Sequence, residues 1–272
     1  MLKKVLLVAL IVITPHLFSL LSQKPETKLP TGVKLTYRAT WMGFRAGTGV
    51  IQIGTITQRD GKFVIPISSC VSTTGFVRLL LKVDDCLWSW LDPVELIPYR
   101  FEEKIREASY SRDRVIEFDR KKKVGRIFRP KEGELVLDKE VPIGEDFHDF
   151  MSWTFFLSTQ DLRVGQTFAF KILTYQKVDE MSMEVKSKAQ ISLPKLGKSQ
   201  AFQIVPSGET GKSIKQKGGS GEVWVDSENR LPLVIFLKIP GAGAIKLTLE
   251  NIEENGEVAQ EVSRQDESSI NF

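Results

Sequence analysis

Histidine and cysteine are scarce in this 272-residue chain, with two of each. Beyond the amino-terminal run only His148 remains, and one histidine with Cys70 and Cys86 offers no tetrahedral ligand spacing. No metal centre is expected. The sequence also lacks a phosphate-cradling glycine loop and a nucleophile set beside a base, so no catalytic residue and no cofactor is assigned. Neither sign of charge dominates: 38 basic and 34 acidic residues leave a net charge of +4, too small an excess to point to nucleic acid, and no such partner is expected. With 42% hydrophobic and 26% charged residues the chain is neither disordered nor a multi-pass helical membrane protein. It is long enough for one large core or two small ones.

The one long apolar stretch is at the start. Lys3 and Lys4 precede Val5 to Leu21, an uncharged run broken by Pro15 and His16. That pattern predicts export, with residues 1–22 as a signal peptide or an amino-terminal membrane anchor, and a location in the periplasm or cell envelope. The run is short for a secure span, which needs roughly 20 apolar residues. No cysteine closes it, so no lipoprotein anchor is expected. Residues 23–32, with Pro25 and Pro30, read as a linker, 33–252 as a single β-rich domain, and 253–272 as an acidic polar tail.

Strands follow from alternation. Val33, Leu35, Tyr37, Ala39 and Trp41 share one face, while Lys34, Thr36, Arg38 and Thr40 share the other. Glycines at 47, 49 and 54 let the returning strand bend. Further strands are predicted over 63–71, 83–91, 97–105 and 110–118, then a hairpin of 123–128 with 134–141, and then 168–175, 178–188, 189–193 and 201–205. Two closing hairpin arms follow: 222–226 with 233–239, then 245–252. Ser207 to Gly221, rich in glycine and lysine, reads as a flexible loop. Phe76 to Leu81, FVRLLL, is expected to be buried beneath the sheet, the alternatives being a short helical turn or an exposed apolar lip. If the strands around the cysteines fold back near Arg78, Cys70 and Cys86 stand opposite each other and could accept a disulfide. Two buried thiols are the other reading.

A single helix signal stands out between Val141 and Phe168. Asp146 or Asp149 can cap it, apolar residues follow at 147, 150, 151, 153, 155, 156 and 157, and Gly165 closes the connection. Such a wide apolar ring predicts burial. The expected fold is therefore mainly β: a curved antiparallel sheet of about a dozen strands, half-barrel or barrel-like, wrapped around one buried helix.

Candidate binding residues come from two features. The basic run from Arg112 to Lys131, including Arg120, Lys122 and Arg126, could form a positive patch for anionic headgroups or acidic polymer, although a solvated hairpin tip is the simpler reading. Trp88 and Trp90 share a face with Cys86 and could bind sugars or acyl chains if exposed; otherwise they fill the core. His148 lies beside Glu145, Asp146 and Asp149, which read as a capped helix start rather than a catalytic group. The preferred function is a non-enzymatic envelope protein binding a lipid-like or glycan ligand or an envelope protein, with membrane association through the amino terminus as a further option. Its rivals are a hydrolase or transferase using carboxylates such as Glu102, Asp146 or Asp226, and a structural subunit docking through FVRLLL.

Three pieces of the chain, taken in order, resemble a family of exported bacterial proteins catalogued as domain of unknown function 3108. They are Tyr37-x-x-x-Trp41-x-Gly43-Phe44-x-Ala46-Gly47; Asp149-x-x-Ser152-x-x-Phe155-Phe156-Leu157 with Gly165 after it; and Trp224-x-Asp226 followed by Arg230-Leu231-Pro232. Where the family often has an arginine after the leucine, this chain has Ser158. The resemblance implies an envelope-located, mainly antiparallel β protein, and it implies no established activity or catalytic residues.

Overall fold

The computed structural model describes residues 24–174, 177–241 and 243–254. The expected leader (1–22) and residues 255–272 of the expected tail lie outside them.

The first half of the chain contributes β1 (Val33–Trp41), β2 (Phe44–Ile53), β3 (Thr57–Arg59), β4 (Lys62–Thr73), β5 (Asp84–Leu91), β6 (Pro98–Glu107), β7 (Tyr110–Asp119), β8 (Val124–Lys131) and β9 (Glu134–Pro142). The second half contributes β10 (Phe147–His148), β11 (Thr167–Leu173), β12 (Val178–Leu193), β13 (Gly197–Pro206), β14 (Ser220–Asp226), β15 (Pro232–Ile239) and β16 (Gly243–Glu254). They form one 16-stranded sheet in the order β10-β11-β12-β13-β14-β15-β16-β1-β2-β4-β5-β6-β7-β8-β9, with β3 paired to β4 off this path. The short β10–β11 pair is parallel. β16 lies against β1, so the two ends of the described chain meet mid-sheet, with Val33 opposite Glu254 and Trp41 opposite Ile245.

The sheet is mainly antiparallel and does not close, because β10 and β9 are its two ends. It curls far enough for them to approach. Phe118 of β7 stacks on Phe147 of β10 at 5.1 Å between ring centres. On β8, Gly125 sits so close to Leu173 of β11 that a Cβ there would lie 2.4 Å from its Cδ2. Strand alternation explains the burial. Val33, Leu35, Tyr37 and Ala39 of β1 all point into the core, and the Tyr37 hydroxyl donates to the Pro232 carbonyl at 2.7 Å. A second cluster lies on the other face of β11 to β14, with Phe168, Phe170, Ile172, Val185, Phe202 and Ile204. Phe147, Met151 and Phe155 belong to the first cluster and Leu157 to the second, so the segment joining β10 to β11 bridges the two.

Three elements differ from the sequence reading. In place of a long buried helix there is α2 (Ser152–Phe156), five residues in length, followed by a 3-10 turn at Leu157–Thr159. Asp149 holds the turn that leads into it, its Oδ1 accepting from the Met151 and Ser152 amides, both at 2.7 Å, while Met151 stands at the N-cap position. Trp153, Thr154, Phe155 and Phe156 are weak helix formers because their χ1 freedom is lost against the preceding turn. Their wide apolar ring is met by two separate cores rather than by one cylinder of sheet. Secondly, Ser207–Gly221 is not all loop, since α3 (Gly208–Gln216) occupies most of it. Thirdly, FVRLLL forms α1 (Gly75–Leu80) and is not buried: only Val77 points inward, and Phe76, Leu79 and Leu80 are exposed.

Candidate functional site

Trp90 lies on β5 between Ser89 and Leu91, both fully buried in the core, so its ring points to the opposite face of the sheet. It is nonetheless 4% exposed. The β3–β4 hairpin covers it. Asp60 (φ 48°) and Gly61 (φ 72°) both take the left-handed conformation that a tight two-residue hairpin turn requires. That turn sets Arg59 over the Trp90 ring at 4.4 Å and Lys62 over the Tyr99 ring at 4.5 Å. Arg100 approaches Trp90 from β6 at 6.0 Å, and Arg120 approaches Tyr99 at 5.9 Å.

These groups border an open groove of about 670 Å³ on the outer face of β5 to β8. Its arginines are held by carboxylates. Arg100 bridges Glu102 at 2.5 Å and Glu117 at 2.9 Å. Arg126 lies between Asp119 at 3.0 Å and Glu140 at 3.4 Å, and Arg120 between Asp92 at 3.5 Å and Glu95. Tyr99 donates its hydroxyl to Asp92 at 2.7 Å. Burial and that bond together push the phenol up to about 12. Burial also raises Asp92, but the Glu95 amide, the Tyr99 hydroxyl, the Val94 amide and Arg120 outweigh it and hold the carboxyl below its usual range. The groove is thus an array of fixed charges with apolar contact from Val64, Trp90 and Phe118. Each guanidinium has five N–H donors, and one or two carboxylates do not saturate them.

Of the sequence candidates, Trp90, Arg120 and Arg126 are brought together here. Trp88 shares the outer face but stands opposite Ser68 and Glu102, outside the groove. Lys122 lies in the β7–β8 turn with its amide on Asp119 Oδ1 at 3.0 Å, and it does not line the groove. Arg59, Lys62, Tyr99 and Arg100 were missed. Arg100 pairs directly with Trp90 across β5–β6, but a bulge between Trp90 and Leu91 shifts the register that simple counting would use.

The carboxylates of the enzymatic alternative stay apart. Glu102 pairs with Arg100, exposed Asp146 borders a different cavity, and Asp226 caps the turn after β14 by accepting from the Glu228 amide at 2.8 Å and the Asn229 amide at 3.1 Å. His148 is buried, with Nδ1 3.1 Å from Ser152 Oγ and its ring between Phe156 and Phe170. Burial lowers its pKa to about 4, so it is neutral at pH 7. Its sequence neighbours turn elsewhere: Glu145 pairs with Lys123 at 2.6 Å, and Asp149 accepts from Ser89 Oγ on β5. Among the described residues no cluster of three His, Cys, Asp or Glu side chains is placed to hold a metal. Cys70 and Cys86, directly opposed on β4 and β5 with Cα atoms 4.1 Å apart, are joined by a disulfide on the outer face.

The three sequence motifs form scaffold contacts. The first and third meet through the Tyr37–Pro232 bond, and the second ties β5 to the inner segment through Asp149 and Ser89. Residues 36–250 match the family described as "Protein of unknown function (DUF3108)". The chain belongs to DUF3108. Among solved structures, this DUF3108 chain is similar to a β-barrel-like protein of domain of unknown function DUF1849 from Brucella abortus. That match has 8% identity and a TM-score of 0.51, covering 83% of this chain and 98% of that one. At this identity the likeness is one of fold. A Bacteroides fragilis protein with a YmcC-like fold matches at 9% identity and a TM-score of 0.31, over 84% of this chain and 98% of that one. No curated protein matches the DUF3108 chain. Among its described residues no helix is long and apolar enough to cross a membrane.

Proposed function

We propose that this DUF3108 protein is an exported, non-enzymatic binding protein of the cell envelope, and that its groove takes an acidic saccharide. Export rests on Lys3, Lys4 and the apolar run that follows them. The observation that carries the ligand class is a set of arginines on a groove of about 670 Å³: Arg100, Arg120 and Arg126 are pinned by carboxylates, and Arg100 and Arg120 also lie beside aromatic rings. Planar guanidinium forks pair with sugar carboxylates or phosphates, fixed carboxylates accept sugar hydroxyls, and pre-positioned side chains reduce the entropy lost on binding. An acyl chain fits poorly, since Val64, Trp90 and Phe118 offer too little continuous apolar wall.

The test is titration calorimetry of the full chain with oligogalacturonides and, separately, with neutral cello-oligosaccharides, joined to native mass spectrometry of protein purified gently from its own envelope. The acidic series should bind and the neutral one should not, and Arg100→Ala with Arg126→Ala should weaken binding at least tenfold while the circular dichroism spectrum is kept. Absence of both saccharide binding and a co-purifying glycan mass overturns this reading.

A further inference from the structure

At the end of the sheet opposite the groove, three neighbouring turns carry large apolar side chains into solvent. Met42 and Phe44 flank the β1–β2 turn, Phe76, Leu79 and Leu80 lie on α1, and Ile239 ends β15. The first five are between 61% and 82% exposed. The helix is amphipathic in the wrong sense for packing: positions 76, 79 and 80, spaced i, i+3, i+4, form one apolar face, and that face points away from the sheet. The turns are held side by side. The Met42 amide donates to the Ala244 carbonyl at 2.8 Å, and the Thr74 amide donates to the Ala46 carbonyl at 2.8 Å.

Basic side chains surround this tip. Arg45 and Lys246 both stand opposite Thr40, across β2–β1 and β16–β1, and Lys238 precedes Ile239. All three are exposed and make no salt bridge among the described residues. Lys82, also exposed, follows α1, where the nearby Asp84 is already engaged by Arg78 at 2.7 Å through both guanidinium nitrogens.

We infer that this tip docks onto an anionic lipid bilayer, with Phe44, Leu79 and their neighbours entering the headgroup boundary while Arg45, Lys238 and Lys246 meet lipid phosphates. A protruding set of separate turns suits a soft, deformable surface better than the flat, close-packed contact that proteins make. Cations that make no salt bridge among the described residues match the sign of anionic headgroups. Docked in this way, the groove at the other end faces away from that bilayer, about 30 Å off along a nine-residue strand.

The test uses the full chain, so that whatever its amino terminus contributes is common to every variant. Nitroxide labels are placed singly at Leu79→Cys on the tip and at Val94→Cys, an exposed position at the opposite end. Depth is read by paramagnetic relaxation on phosphatidylcholine vesicles with and without phosphatidylglycerol. Label 79 should be shielded at headgroup depth only when phosphatidylglycerol is present, and label 94 should remain aqueous throughout. Phe44→Ser with Leu79→Ser should lower vesicle partitioning about tenfold or more, and Arg45→Glu with Lys238→Glu should abolish its dependence on phosphatidylglycerol. Label 79 remaining aqueous on both vesicles overturns the inference, because the tip would then make no contact with lipid. Spin-spin broadening at 79 in vesicle-free solution also overturns it, in favour of a contact between two copies of the chain.

Discussion

His148 and Asp149 are neighbours whose protons are pushed in opposite directions by the same cause. Burial lowers the imidazole to about 4 and raises the carboxyl, although Ser89, Ser152 and the Met151 amide pull the carboxyl back. An unfolded chain binds a proton at His148 near 6.5, and the folded one declines it until about 4. The histidine's contribution to stability is therefore complete above pH 6.5 and is lost as pH falls from there to 4, a change of roughly 3 kcal/mol at most. Urea unfolding of the native protein and of His148→Gln at pH 7, 5.5 and 4.5 checks this. The gap between the two proteins should move in the variant's favour on acidification, and since Asp149 is present in both, its opposite slope largely cancels. Curves that fall in parallel would show that His148 is not the group responsible. The sequence marked these residues as a helix cap; the N-cap is Met151, and Asp149 instead holds the turn before α2. Their role in tying β5 to the inner segment could not be read, because Ser89 is 60 residues away and carries no local signal.

Among the elements, the β4–α1–β5 unit is the one most open to a stability test. Its disulfide joins residues 16 apart, and closing a loop of that size stabilises by about 3 kcal/mol in the chain-entropy account. Cys70→Ser with Cys86→Ser should lower the unfolding free energy by about 2–3 kcal/mol in guanidinium titration, and an unchanged midpoint would mean that the hairpin is held by its backbone ladder alone. Alternation made β1 legible to the residue and placed Cys70 opposite Cys86, because both depend only on a period of two and a turn position. It did not separate Trp88 from Trp90, which share a face. What distinguishes them is the small hairpin turned back over Trp90, a tertiary event with no periodic trace. FVRLLL was misread for a related reason: apolar composition normally marks burial, and here it marks an outward face.

For the whole molecule, curvature decides whether the two ends of the sheet meet. Gly125 is one point where the two sides come close, against Leu173 of β11. Gly125→Ala should destabilise by roughly 1–3 kcal/mol, since the new methyl must displace Leu173 or part β8 from β11. Thermal unfolding checks it, and a neutral result would mean that the seam is loose enough to absorb a methyl group. Mainly-β class and barrel-like curvature were legible from the alternating strands and bending glycines, whereas the strand order was not, because pairing of β1 with β16 leaves no mark in either segment.

That pairing also governs the order in which the fold can be made. β1 needs β16 as its second neighbour, and more than 200 residues separate Val33 from its partner Glu254. A chain emerging amino end first holds one side of its central strand unpaired until the far strand arrives. Long-range closure of this kind slows folding. Until the far strand arrives, that unpaired edge is a ready template for pairing with another chain, so the waiting half-sheet is where aggregation would begin.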